Sequence, residues 1–549
     1  MKLILCAALC INLLLIKVTV VKALSCSNVK YAYTTKGFDD GDVPKSAISG
    51  EHLRICERGL TCCTEEMEHK LSTHSRAEFD KLLHNTIGEL KDIFETHTHR
   101  FDEFFRELLK VSRRGFHDMF VRTYGQLYEQ NAYLFSSMFD DLEKYYATGG
   151  VDLEDAMDDF FHRLYGKMFQ VLNAQHRFDN RYLECVSEQM NELKPFGDVP
   201  SKLMLDIKRS FVATRTFVQA LSVGKDVVKS IMEACISVGP TPECSRALMK
   251  MAYCPHCHGL PDLKPCSPYC LYVLNNCLNN HIAFGSEWSS FIDSLINLVS
   301  RLENSYNIES VLEPIDIKIS EAIMNFQENG VAISKKLFHK CGKPRLGKRD
   351  LSDQEIPLEK LKFLHNHGAR PTTAAGTSIE RLVDNLKKKT KRIKKFWQEL
   401  PLKMCSHSLM EEGSQGCWDG NAETKNVNAS IKHLLPFKDS KEPSENPIIN
   451  QQILTLNLIS TKLSHAYRGL DVEWEDSADS SSGSGSGSGF GHIATAEDFE
   501  DLFFSVPRAL PTDKVPPSYQ TPATTSSGNL EYFSFNILIL VIFTKWALS

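Results

Sequence analysis

The sequence predicts an all-α, disulfide-stabilised core followed by a disordered Ser/Gly stalk. Three observations carry that expectation. No proline falls between Pro44 and Pro195, and apolar residues recur there at helical spacing. Six cysteines crowd the segment from Cys244 to Cys277. From Asp471 the composition turns abruptly to acids, serines, glycines and prolines, a mixture that buries too little apolar surface to fold. The 549 residues suggest about two to four units, and 42% hydrophobic and 24% charged with a formal charge of -6 is a globular balance. They exclude a wholly disordered chain and a generally basic nucleic-acid binder. No interior run of about 20 apolar residues exists, which excludes a multispan membrane protein.

The two ends set the compartment. Met1 and Lys2 precede an apolar run from Leu3 to Ile16, and small residues follow at Ala23 and Ser25. A basic start, a short greasy stretch and a small-residue exit read as a secretory signal peptide over 1–25. At the other end, small residues from Thr524 to Asn529 precede an apolar run from Phe533 to Phe543. These are the elements of a glycosylphosphatidylinositol (GPI) signal over 527–549, with Ser526 or Ser527 as the attachment residue. The alternative is a single membrane-spanning tail. Eleven residues interrupted by Asn536 fall short of the roughly 20 that a spanning helix needs. Cys6 and Cys10 leave with the signal peptide. The fifteen cysteines from Cys26 to Cys417, in an oxidising compartment, read as a disulfide framework with one left over.

Helical segments follow in order. Ser75 and Glu78 have capping-box spacing. Phe79, Leu83, Ile87, Leu90 and Phe94 continue the pattern, then Phe101, Phe105, Leu108, Phe116, Phe120 and Tyr124. These aromatic stripes read as core and not as a ligand box. Gly149-Gly150 breaks the chain, and Asp152 is placed to cap the next helix, which carries Phe160, Phe161, Leu164 and Phe169. Pro195 to Pro200 marks a turn. Helical patterning returns over 203–235 and 288–338, fails over an exposed loop near 342–377, and returns over 379–400 and 448–465. No strand-like alternation is sustained.

Several motifs bear on chemistry. Ser482, Ser484, Ser486 and Ser488 each precede a glycine, with acids on both sides of the repeat. A flexible linker needs no flanking acids. In a secreted chain this is the acceptor pattern for xylose-primed glycosaminoglycan, because the enzyme needs an exposed serine free of neighbouring side chains. Cys254-Pro-His-Cys257-His258 has the spacing of a redox pair or a haem attachment, and Cys254, Cys257, Cys266 and Cys270 have that of a zinc site. A helical, cysteine-dense, oxidising setting favours structural disulfides. Seven Lys/Arg fall between Lys387 and Lys395, a solvated helix face or a contact for sulfated glycan. Asn428-Ala429-Ser430 is an N-glycosylation sequon at Asn428. Lys348-Arg349 before Asp350 is a dibasic convertase site, with Leu346 where such sites prefer arginine. No nucleophile, base and orienting group come together, and no Gly-rich phosphate loop appears. The chain reads as a carrier and binder, not an enzyme, with no metal and no cofactor beyond covalent glycan and lipid.

These residues together resemble a glypican. Cys56-Glu-Arg-Gly-Leu-Thr-Cys62-Cys63 is similar to the family's amino-terminal cysteine block. Cys254-Pro-His-Cys257-His-Gly-Leu, then Cys266-Ser-Pro-Tyr-Cys270 and Cys277, match its signature, with Asn276 where the pattern has glycine. Lys194 to Pro200 and Arg370 to Thr377 resemble the glypican four/six, or Dally-like, subgroup.

The resemblance implies an elongated helical cylinder with a cysteine-rich lobe, spanning 26–470, and a glycosaminoglycan-bearing stalk over 471–526. It implies seven disulfides: Cys26–Cys62, Cys56–Cys254, Cys63–Cys257, Cys185–Cys341, Cys244–Cys277, Cys266–Cys417 and Cys270–Cys405. Cys235 is then the odd thiol. It further implies a GPI-anchored heparan sulfate proteoglycan on the outer leaflet, or shed from it. Such a protein, with a monomeric core, would concentrate heparin-binding growth factors and morphogens (Wnt, Hedgehog, FGF, BMP) for cell-surface receptors. An adhesion protein acting through its folded core is the alternative.

Overall fold

The computed structural model describes residues 25–346, 379–406, 416–425 and 447–474. The chain divides into two units at Asp476, and every described residue lies in the first.

The helices, in chain order, are α1 (Ser27–Thr34), α2 (Glu65–Tyr124), α3 (Ala132–Thr148), α4 (Leu153–Leu172), α5 (Asn180–Glu188), α6 (Val199–Val238) and α7 (Pro242–Ala252). Then follow α8 (Ser267–Cys277), α9 (Asn279–Glu303), α10 (Ile315–Lys340), α11 (Ile379–Ile393), α12 (Phe396–Met404) and α13 (Pro447–Tyr467). Strands among the described residues are two residues long. Antiparallel pairs join β1 (Ile48–Ser49) to β2 (Leu60–Thr61), β3 (His176–Arg177) to β4 (Arg345–Leu346), and β5 (Cys417–Trp418) to β6 (Glu423–Thr424).

Helix α2 runs for 60 residues, about 90 Å at 1.5 Å per residue. It starts ten residues before the Ser75 capping box. Thr64 is the cap, its hydroxyl accepting the Met67 N–H at 3.2 Å, and Glu65, Glu66 and Glu68 fill the first turn. Ser75 is buried within the helix. With no proline to break the backbone ladder, one apolar stripe keeps a partner along the whole length. That partner is chiefly α6, and α13 lies against both α6 and α9. Phe101 meets Phe217 edge-on at 4.9 Å and Phe94 meets Trp288 at 5.4 Å. Each such ring contributes about 1.5–3 kcal/mol by burial.

Gly149 ends α3 with φ +74°, and a Cβ there would sit 2.7 Å from the Arg215 guanidinium. Glycine answers both demands. Asp152 caps α4, its Oδ1 accepting the N–H groups of Glu154 and Asp155 at 2.7 and 3.0 Å. The pattern read over 288–338 is two helices, α9 and α10. They are broken between Asn304 and Pro314, where Tyr306 N–H turns back to the Arg301 carbonyl at 2.8 Å.

Candidate functional site

Seven disulfides tie the described unit together, joining the pairs implied by the resemblance. Six gather in one lobe around α7, the turn Cys254–Cys257 and α8. The amino-terminal segment is held there by Cys26–Cys62, Cys56–Cys254 and Cys63–Cys257. Backbone bonds reinforce it: Cys62 N–H donates to the Cys257 carbonyl at 2.8 Å, and the Thr61 hydroxyl donates to the same oxygen at 3.0 Å. The hairpin β5–β6 is stitched to the lobe by Cys266–Cys417 and by Trp418, whose Nε1–H donates to the Lys250 carbonyl at 3.0 Å. Cys270–Cys405 anchors the end of α12, and Cys244–Cys277 joins α7 to α8. Cys185–Cys341 stands apart, joining α5 to the end of α10 beside the β3–β4 pair.

This geometry decides the Cys254-Pro-His-Cys257 motif. The two sulfurs bond to Cys56 and Cys63, not to each other, and both cysteines are 1% exposed. A redox pair needs an accessible thiolate. His256 between them is buried, with its proton affinity pushed down to about 4 by burial and by nearby Lys36. Among the described residues no His/Cys/Asp/Glu group is arranged to hold a metal ion.

Among the described residues Cys235 is the free cysteine. Its Sγ lies 2.8 Å from Nε2 of His281. Burial pushes the thiol up to about 12 and the imidazole down to about 4. Both groups are therefore neutral at physiological pH, a thiol hydrogen-bonded to an imidazole and not a reactive ion pair.

One opening was not legible as a site in the sequence. Between the end of α2 and helices α3, α4 and α10 lies a narrow apolar cleft of about 50 Å³. Phe120, Tyr124, Phe135, Leu164, Met168 and Ile323 face it, with Asn131, Lys167 and Gln327 as its polar residues. The aromatic stripes around it read as plain core, and the sole warning is their density between Phe116 and Phe139. A second opening shares Tyr128 and Phe135 with the first and is bordered by Lys110, Arg113, Arg114 and His117.

The glycan-acceptor serines Ser482, Ser484, Ser486 and Ser488, the sequon Asn428, the anchor candidates Ser526 and Ser527, and the dibasic Arg349–Asp350 lie outside the described residues. Among the described residues no helix is long and apolar enough to cross a membrane.

The fold and its bonds define a class: a disulfide-locked helical core protein. Comparison with known proteins gives the family. The glypican family model matches residues 8–547. Glypican-1 of Gallus gallus is 35% identical over 466 residues, covering 83% of each chain. The crystal structure of the full-length glypican-1 core protein superposes with a TM-score of 0.71 at 34% identity, covering 81% of this chain and all of that one. Dally-like protein in complex with O-palmitoleoyl serine superposes at 0.63 with 36% identity, covering 82% of this chain and all of that one. The chain belongs to the glypican family, the non-enzymatic core proteins of heparan sulfate proteoglycans.

Proposed function

We propose that this chain is a GPI-anchored cell-surface heparan sulfate proteoglycan that acts as a co-receptor, concentrating growth factors and morphogens. The observation that carries this reading is the Ser-Gly repeat flanked by acids, in a chain of the glypican family. Residues 1–25 and the segment after the lipid-bearing serine are removed, 26–470 form the core, and the stalk runs from 471 to that serine. Ser482, Ser484, Ser486 and Ser488 are the glycan acceptors, Asn428 carries N-glycan, and Ser526 or Ser527 takes the lipid. The sulfated chains attract basic ligands electrostatically, so capture weakens as salt rises. Treatment of cells with a phosphatidylinositol-specific phospholipase is expected to release a high-mass smear. Heparan-degrading lyase then collapses it to a sharp core band. A sharp band from the start refutes glycan attachment, and no release refutes the anchor.

A second reading concerns ligands, and the Dally-like complex with O-palmitoleoyl serine favours it. The apolar cleft bordered by Phe120, Phe135 and Ile323 offers an acyl chain apolar walls with a few polar groups at the edge, the usual make-up of a small-molecule site. Binding of O-palmitoleoyl serine that Ile323→Trp leaves unchanged would refute this reading. A core stripped of glycan that still binds partners at full strength would favour the adhesion alternative.

A further inference from the structure

Helix α11 has two unlike faces. Ile379, Val383, Leu386, Thr390 and Ile393 are buried. The opposite face carries Arg381, Lys388 and Arg392, all exposed and spaced i, i+7 and i+11, so they form one stripe, and exposed Lys395 follows just past the end of the helix. Asn385 fills the i+4 place, and exposed Lys391 flanks it. On the other flank, burial chiefly disfavours protonation of His97, and Lys389 of α11 and Arg100 of α2, both near it, add to the effect, so the patch extends onto a second helix.

From Glu380 to Lys395 there are eight Lys/Arg and two acids, in a chain whose formal charge is -6. Part of this surplus is neutralised. Lys387 pairs with Glu303, Lys388 with Asp384 at 2.7 Å, and Lys394 with Asp293 at 2.7 Å. Arg381, Lys389, Lys391, Arg392 and Lys395 make no ion pair among the described residues.

The shape of the patch selects its partner. The stripe from Arg381 to Arg392 is about 17 Å long at 1.5 Å per residue. It contains no apolar side chain and overlies none of the clefts described above. A folded protein partner needs an apolar centre to bury. A flexible linear polyanion needs only a line of cations, and it gains by releasing its own counterions. We propose that the exposed stripe of α11 docks a linear sulfated glycosaminoglycan presented by another molecule. The choice of glycosaminoglycan among polyanions rests on the extracellular placement proposed above.

The test uses the full chain carrying Ser482→Ala, Ser484→Ala, Ser486→Ala and Ser488→Ala, so that no glycan of its own on those serines competes. Its retention on immobilised heparin is measured against salt. Retention is expected, and the added set Arg381→Gln, Lys388→Gln, Lys391→Gln, Arg392→Gln and Lys395→Gln weakens it about tenfold or more near physiological salt and flattens the salt dependence. A control removes the same charge from exposed Lys45, Arg58, Lys81, Lys229 and Lys335 and leaves retention nearly intact. Circular dichroism checks that both sets fold. Equal loss in the two sets, or no retention at all, overturns the proposal. If the chain with its serines intact is retained only after lyase treatment, the stripe is covered by the protein's own glycan and docking to another molecule is overturned. The column reads the stripe, whereas the release and lyase experiment reads the anchor and glycan, so the two readings fail separately.

Discussion

Glu68 makes the sharpest test of how the amino-terminal segment is held. Its carboxylate is 4% exposed and sits in the first turn of α2. There Oε2 accepts the Arg54 N–H at 2.8 Å, and Oε1 accepts the N–H groups of Ile55 and Cys56, each at 2.9 Å. Three consecutive backbone donors thus end on one side chain, beside the cysteine that bonds Cys254. Hydrogen bonds to charged groups contribute about 1.5–3 kcal/mol each, and a buried donor left unpaired loses comparably. Water reaches part of the site once the side chain is gone, so Glu68→Ala is expected to lower the free energy of local opening by about 3 kcal/mol. That is roughly 100-fold in an equilibrium constant. The disulfides stay intact, so the loss appears as local opening and not as global unfolding. The assay is hydrogen exchange by mass spectrometry on the peptide spanning Arg54 to Cys56, whose amides should exchange about 100-fold faster. Glu68→Gln keeps one acceptor oxygen and should give an intermediate effect. Unchanged exchange of these amides in the alanine variant would refute the assignment of Glu68 as the anchor.

Four further outcomes are expected. Gly224→Ala places a Cβ 2.8 Å from the Phe94 ring and 3.2 Å from Phe291, and overpacking of this kind should cost about 1–3 kcal/mol in denaturant unfolding. His256 and His281 both titrate at about 4 when folded, against 6.5 unperturbed, because burial penalises the charged ring. Their folded values are depressed, so the native state is fully favoured above pH 6.5 and loses stability as pH falls toward 4. The loss is about 2 kcal/mol per histidine by pH 4.5, and His256→Gln should flatten the unfolding curve against pH over that window. A thiol reagent should label Cys235 slowly in the native protein and at once in denaturant, since burial holds the thiol neutral; rapid native labelling would contradict the half-buried pair with His281. Cleavage after Arg349 should give two polypeptides that separate on a gel only after reduction, because Cys266–Cys417 and Cys270–Cys405 bridge the cut.

Much of this protein is written in local pattern. The apolar period between Phe79 and Tyr124 is a property of neighbouring residues, and it places α2 without any knowledge of its partner. Asp152 announces the start of α4 because a cap acts within three residues. The Ser-Gly repeat and the signals proposed at the two ends are also short stretches of sequence, and they lie outside the described residues. Where local signals compete, tertiary contacts decide. Ser75 and Glu78 have capping spacing, yet Thr64 is the cap, because the helix gains burial of Met67 and Leu71 by starting earlier. Disulfide pairing is long-range: spacing cannot choose Cys63–Cys257 over Cys63–Cys254, and the fold does so by bringing the Cys62 N–H and the Thr61 hydroxyl onto the Cys257 carbonyl. The apolar cleft exists because four helices meet imperfectly at Phe120, Phe135, Leu164 and Ile323, and no single stretch of sequence records how far apart their faces come to rest. The basic run from Lys387 to Lys395 was visible in the sequence. Packing decided which of its cations face solvent, because burying Val383, Leu386, Thr390 and Ile393 fixes the rotation of α11.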